Sequence, residues 1–129
     1  MAHSSAPSQR MLRAGELIRH ALAEIFLRGE TNDPELDKLT PTIVEVQISP
    51  DLKIATAYVR TLMMGQEEQL LGALKRNRKY IRMLMTPRLA MKYMPDIRFR
   101  IDTSLDYAGK IDTILRSPVV KRDVEKEDE

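Results

Sequence analysis

From Gln9 to about Arg28, apolar side chains recur at Met11, Ala14, Ile18, Ala21, Leu22 and Ile25. Steps of three and four return each side chain to the same stripe, so the spacing predicts an amphipathic helix. Ser8 supplies its N-cap and Gly29 closes its far end. The segment GETNDPELDKL, residues 29–39, is punctuated by Asn32, Asp33 and Pro34 and reads as a loop. In TPTIVEVQI the period changes to two, with Val44, Val46 and Ile48 on one face and Glu45 and Gln47 on the other. SPDLK, residues 49–53, suits a type I turn, because Pro presets φ and the Ser and Asp side chains can bond the turn backbone. IATAYVRT, residues 54–61, then places Ala55, Ala57 and Val59 on one face, completing an antiparallel hairpin.

The helical period returns from Gly65 to about Arg78, with Glu67 and Glu68 in the first turn, where the helix dipole favours acids. Leu70, Leu74, Ile81, Leu84 and Met85 carry the apolar stripe on to residue 85, and Pro87 predicts a bend or restart near Thr86. After Met94 and Pro95, DIRFRIDTS alternates Ile97, Phe99 and Ile101 against Arg98, Arg100 and Asp102, a third strand. LDYAGKIDTILRS forms a last amphipathic segment before Pro118. The order α-β-β-α-(α)-β, without internal repeat, describes one α+β domain over residues 9–116. Residues 1–8 and 117–129 are expected to be disordered tails.

The chain has 129 residues and no cysteine, which excludes disulfides, thiolate nucleophiles and Cys-ligated zinc. Neither its polar start, MAHSSAPSQRML, nor any later stretch reads as a signal peptide or membrane span, so a soluble, cytoplasmic protein is expected. Its net charge of +2 comes from 21 basic and 19 acidic residues. The tail DVEKEDE holds five of the acids and one Lys; residues 1–122 keep 20 basic and 14 acidic side chains, a body of +6. A basic body suits a polyanionic partner.

Catalytic chemistry has few candidates. His3 lies in the tail, and His20 reads as a surface side chain of the first helix. The five glycines build no phosphate-cradling loop. Asp102, Ser104 and Asp106 cluster at a strand end, where such residues terminate pairing or cap the next helix more often than they hold a metal. No enzyme activity, metal or cofactor is expected. The eight methionines read as core filling rather than as a partner surface.

LKRNRKYIRMLMTPRLAMKY, residues 74–93, holds seven Lys or Arg residues, with no acid anywhere between Glu68 and Asp96. Steps of three and four gather Lys75, Arg78, Lys79 and Arg82 on one part of the helical wheel. A solvated face ordinarily interleaves Glu with Lys; four uncompensated cations repel one another until phosphates lie against them. Tyr80 and Tyr93 offer stacking surfaces. Arg98 and Arg100 on the third strand, and Arg10, Arg13 and Arg19 on the first helix, extend the positive field. Nucleic acid is the favoured partner; a basic adaptor docking an acidic protein is the alternative.

Four blocks resemble the ribosome-binding factor A family: SQRMLRAGELIRHALAEI, VEVQISPDLKIATAYV, NRKYIR and YMPDIRFRIDTS. The likeness runs from about Ser8 to Leu115. It implies a KH-like domain of the type II arrangement, α-β-β-α-kink-α-β, with a three-stranded sheet packed on helices. KH domains clamp nucleic acid with a GXXG loop; this family replaces the loop with a kink, often Ala-x-Gly, and Asn77, Arg78 and Lys79 stand there here. The resemblance implies a non-enzymatic factor that binds the free 30S subunit and its 16S rRNA. Such a factor supports late maturation and 5′-end processing of the precursor, matters most in the cold, and is released with an assembly GTPase. On that reading the protein works as a monomer. Its RNA-binding residues are Lys75, Arg76, Asn77, Arg78, Lys79 and Arg82, with Arg88, Lys92, Arg98, Arg100, Arg10 and Arg13 in support.

Overall fold

A computed structural model of the chain describes residues 6–103. The amphipathic segment and acidic tail expected beyond Thr103 lie outside the described residues, as do the first five.

Helix α1 runs Gln9–Leu27. Its start is a capping box: the Ser8 hydroxyl accepts from the Met11 N–H at 3.2 Å, and the Met11 sulfur accepts from the Ser8 N–H at 3.4 Å. At its end Gly29 sits at φ +62, so that the Gly29 N–H reaches Phe26 O at 3.2 Å and the Glu30 N–H reaches Ile25 O at 3.0 Å. That left-handed closure satisfies two carbonyls that would otherwise lack partners.

Residues 29–39 are not wholly loop. Asp33 Oδ1 accepts from the N–H groups of Glu35 at 3.0 Å and Leu36 at 3.3 Å, and Pro34 takes the first helical position, opening the short helix α2, Pro34–Lys38. Its loop-like residues are a helix start: Asp caps it, and Pro needs no donor there. Leu36 and Leu39 are thereby buried.

Strands β1 (Pro41–Ile48) and β2 (Ile54–Thr61) pair antiparallel, and β3 (Asp96–Ile101) lies parallel to β2, which is central. The alternation expected in β1 is broken by a bulge. Ile43 faces Val59 while Glu45 faces Tyr58, leaving Val44 as an extra residue. The buried set is therefore Ile43, Val46 and Ile48, with Val44 only half-buried. The 49–53 turn forms as expected: the Leu52 N–H reaches Ser49 O at 2.8 Å, and Asp51 accepts from the Ser49 hydroxyl at 2.6 Å and the Lys53 N–H at 3.1 Å.

Between β2 and β3 the chain must cross back over the sheet, as any parallel pair requires. It does so with α3 (Glu67–Arg76) and α4 (Arg78–Met85), broken at Asn77, and then a 3-10 turn at Thr86–Arg88 around Pro87. The chain thus bends at both Asn77 and Pro87. Helix α3 packs on β2 and β3, α4 packs on α1, and α1 covers β1. Beneath them Ala55, Ala57 and Val59 are fully buried. This is the KH-like α-β-β-α-kink-α-β order, in an α+β domain, with α2 added before the hairpin.

Gly15 is the tightest point of this packing: a Cβ there would stand 2.7 Å from Val46 O. Helix propensity alone favours Gly15→Ala by about 1 kcal/mol, but overpacking against backbone costs roughly 1–3 kcal/mol. The substitution is expected to lower the melting temperature by several degrees in a thermal circular-dichroism scan. An unchanged or raised Tm would show that α1 slides freely on β1.

Candidate nucleic-acid interface

The joint between α3 and α4 is built on a side chain. Asn77 has φ −97 and ψ 6, in the bridge region rather than the left-handed one. Its Nδ2 donates to Ala73 O at 2.8 Å and to Asp33 Oδ2 at 2.7 Å. Arg76 Nη2 donates to the same Asp33 oxygen at 3.0 Å and to Glu35 Oε1 at 2.7 Å. Asp33 thus caps α2 with one oxygen and holds the interhelical joint with the other. The Asn77 hydrogen bond, followed by that of Arg76, lowers the Asp33 carboxyl from 3.8 to about 2.

The expectation that residues 74–93 form an uncompensated basic band is corrected by these contacts. The missing acids come from elsewhere in the chain. Arg76 is paired with Asp33 and Glu35 of the α2 region. Arg88 meets both Glu30 oxygens, at 2.5 and 2.6 Å, and Glu24 at 3.4 Å. Arg82 has no acidic partner among the described residues but donates to Pro95 O at 2.9 Å and Met94 O at 3.2 Å, tethering the segment before β3. Lys75, Arg78 and Lys79 remain. Their side chains are exposed and have no ion pair or hydrogen bond among the described residues. Arg78 and Lys79 open α4, at the helix end where the dipole disfavours cations.

The other candidates fall in two further places. Arg98 and Arg100 alternate against the buried Ile97 and lie on the face of the sheet away from the described helices; Arg98 leans on Asp96 at 3.4 Å. Arg10, Arg13 and Lys92 border a cleft between the start of α1, the β1–β2 turn and residues 91–95. Lys53 borders it too, a cation that the sequence reading passed over because only the fold carries that turn to α1. Arg19 is paired with Glu16 at 2.8 Å.

The remaining sequence features take structural places. His20 is exposed, 3.7 Å from Glu16. Asp102 pairs with Arg60 at 3.1 Å, while Ser104 and Asp106 lie outside the described residues. The methionines divide: Met85 is buried and Met91 and Met94 are half-buried, but Met63, Met64 and Met83 are exposed. Core filling therefore accounts for only some of them. Tyr93 is exposed, and Lys92 Nζ stands 5.6 Å from its ring centroid.

The Asp33 clamp has a pH signature. A depressed carboxyl contributes stability that is full above its ordinary value of 3.8 and lost as the pH falls through about 2. Asp33→Asn keeps a capping acceptor but lacks the charge. It is expected to be less stable than wild type near neutrality, with the gap closing as the pH approaches 2. Urea unfolding across that range measures it; a gap of constant size would mean that the charge of Asp33 contributes nothing to the joint.

Comparison with known proteins places this arrangement. The family described as Ribosome-binding factor A matches residues 10–115. Curated relatives of that name are 53% identical over 123 residues in Sinorhizobium fredii, covering 95% of this chain and 91% of that one. In Agrobacterium fabrum the figure is 52% over 133 residues, covering 99% and 96%. The crystal structure of ribosome-binding factor A from Thermus thermophilus superposes with TM-score 0.60 at 26% identity, over 70% of this chain and 94% of that one. A homology model of the Thermus thermophilus ribosome binding factor A, as fitted into the cryo-EM map of its 30S complex, matches with TM-score 0.56 at 27% identity, over 69% and 91%.

Proposed function

This chain belongs to the ribosome-binding factor A family, and on that premise we propose that it is a ribosome assembly factor that acts by binding rather than by turnover. Its target is the free 30S subunit and the 16S rRNA within it. There it supports late maturation and 5′-end processing of the precursor, with most effect in the cold, and an assembly GTPase promotes its release. It works in the cytoplasm as a monomer.

The observation that carries this reading is the trio Lys75, Arg78 and Lys79 at the α3–α4 joint, exposed and without partners among the described residues. The Thermus relative fitted into a 30S map supports the choice of polyanion. Where a GXXG loop admits the nucleic-acid backbone by lacking side chains, Asn77, Arg78 and Lys79 fill the kink. Contact is therefore through side-chain cations reaching phosphates. Each such contact releases counterions and makes binding fall with salt. Arg76, Arg82 and Arg88 serve this surface indirectly, by fixing α2, α4 and the segment before β3 around it. Arg98 and Arg100 face the other side of the sheet and can serve only a second strand of RNA.

The triple variant Lys75→Glu, Arg78→Glu, Lys79→Glu tests the surface without touching those clasps. It is expected to abolish co-sedimentation with small subunits and to melt within a few degrees of wild type, while a single Lys79→Ala weakens binding and lowers the log–log salt slope by roughly one. Undiminished association would remove this face from the interface. Association that persists after nuclease digestion of the RNA would instead favour an adaptor docking an acidic protein.

A further inference from the structure

The cleft bordered by Arg10, Arg13, Lys53 and Lys92 differs in kind from the α3–α4 surface. It has a volume of about 600 Å³, within the ~300–1,000 Å³ of small-molecule sites. Its wall is largely apolar, from Ala14 and Leu17 of α1, Ile48 and Leu52 of the hairpin, and Met91 and Met94. Leu52 is held at φ +61, a left-handed conformation that bulky side chains rarely adopt, by the hydrogen bonds of the 49–53 turn. On the rim Tyr93 leaves 78% of its surface exposed. All four rim cations lack an ion pair among the described residues, and Lys92 stands over the Tyr93 ring. The one lining carboxylate, Asp51, is already bonded to the Ser49 hydroxyl and the Lys53 N–H.

A recessed apolar wall, an exposed aromatic ring and four rim cations, with only the Asp51 carboxylate beside Lys53 to offset them in the lining, are the parts a single-stranded nucleic acid needs: a surface to stack a base, and charge for the phosphates either side. A duplex keeps its bases stacked inside and offers such a cleft only phosphates. We infer that this cleft receives an unstacked base of single-stranded RNA, with Tyr93 as the stacking platform and Arg10, Arg13, Lys53 and Lys92 on the flanking phosphates. The inference rests on the RNA-binding reading above and gives it a second contact point, away from the α3–α4 joint, that distinguishes single strands from duplex.

Fluorescence anisotropy of the full chain with hexauridylate and with an abasic hexamer of the same phosphates separates base from charge. Wild type is expected to prefer hexauridylate by roughly ten- to hundredfold. Tyr93→Ala should erase that preference while leaving the abasic affinity where it was, and Tyr93→Phe should restore it. Lys53→Glu should weaken both oligomers together. Equal wild-type affinity for the two hexamers, or a preference that survives Tyr93→Ala, overturns the inference. So does displacement of hexauridylate by a poly-glutamate peptide of equal charge at equal concentration, which would mark the cleft as a site for acidic protein. Small-subunit co-sedimentation is measured alongside. If it persists while the base preference is absent, the cleft reading alone fails; if wild type binds neither hexamers nor subunits, the RNA reading fails with it.

Discussion

One face of a three-stranded sheet has to leave water, and a single stripe of apolar side chains between β2 and β3 must do much of the covering. That stripe, Leu70, Ala73, Leu74, Ile81 and Met85, would suit one straight helix. Its two halves have different partners: α3 lies on β2 and β3, and α4 on α1. A straight helix reaches only one of them. Breaking the helix at Asn77 lets both halves bury their apolar side chains, and the cost of the break falls on the backbone polar groups at the joint. The Asn77 side chain fastens the broken joint, bonding Ala73 O of α3 and the Asp33 carboxylate outside it, a link that no apolar residue of the stripe could supply.

The distribution of charge follows from the same arrangement. Once α2 is docked at the joint, its acids neutralise Arg76, and the return of the chain past α1 brings Glu24 and Glu30 to Arg88. Cations that serve the fold are thereby separated from those that do not. Lys75, Arg78 and Lys79 stand outside every such pairing among the described residues, and so do the four cations around the Tyr93 cleft. Exposed ion pairs contribute little stability individually, so the value of the internal ones is positional: they hold α2, α4 and the segment before β3 in fixed relation to the unpaired charges.

Much of this was legible along the chain because it is local. The Ser8 cap, the Gly29 closure, the 49–53 turn, the bounds of β2 and the bend at Pro87 each depend on a few neighbouring residues with strong preferences. The joint at Asn77 was marked by position through the family resemblance, but its mechanism was not, because the side chain works as a tether to Asp33, far away in sequence. The helix at Pro34 was hidden because Asn, Asp and Pro signal a turn and a helix start alike. The bulge at Val44 was hidden because strict alternation has no place for an inserted residue.

By itself the sequence determined the types of the described elements other than α2, the single α+β domain, the basic character of residues 74–93 and the family, all properties of residue identity and short-range spacing. Only the tertiary structure decided which of those cations are spent, since an acid 40 or more residues away, such as Asp33 opposite Arg76, is invisible to periodicity. It alone carried Lys53 and Lys92 to α1 to border one cleft, and set Arg98 and Arg100 on the opposite side of the sheet. Charge in a chain is a sum, but a binding surface is made of the charges left over when the fold has paired its own.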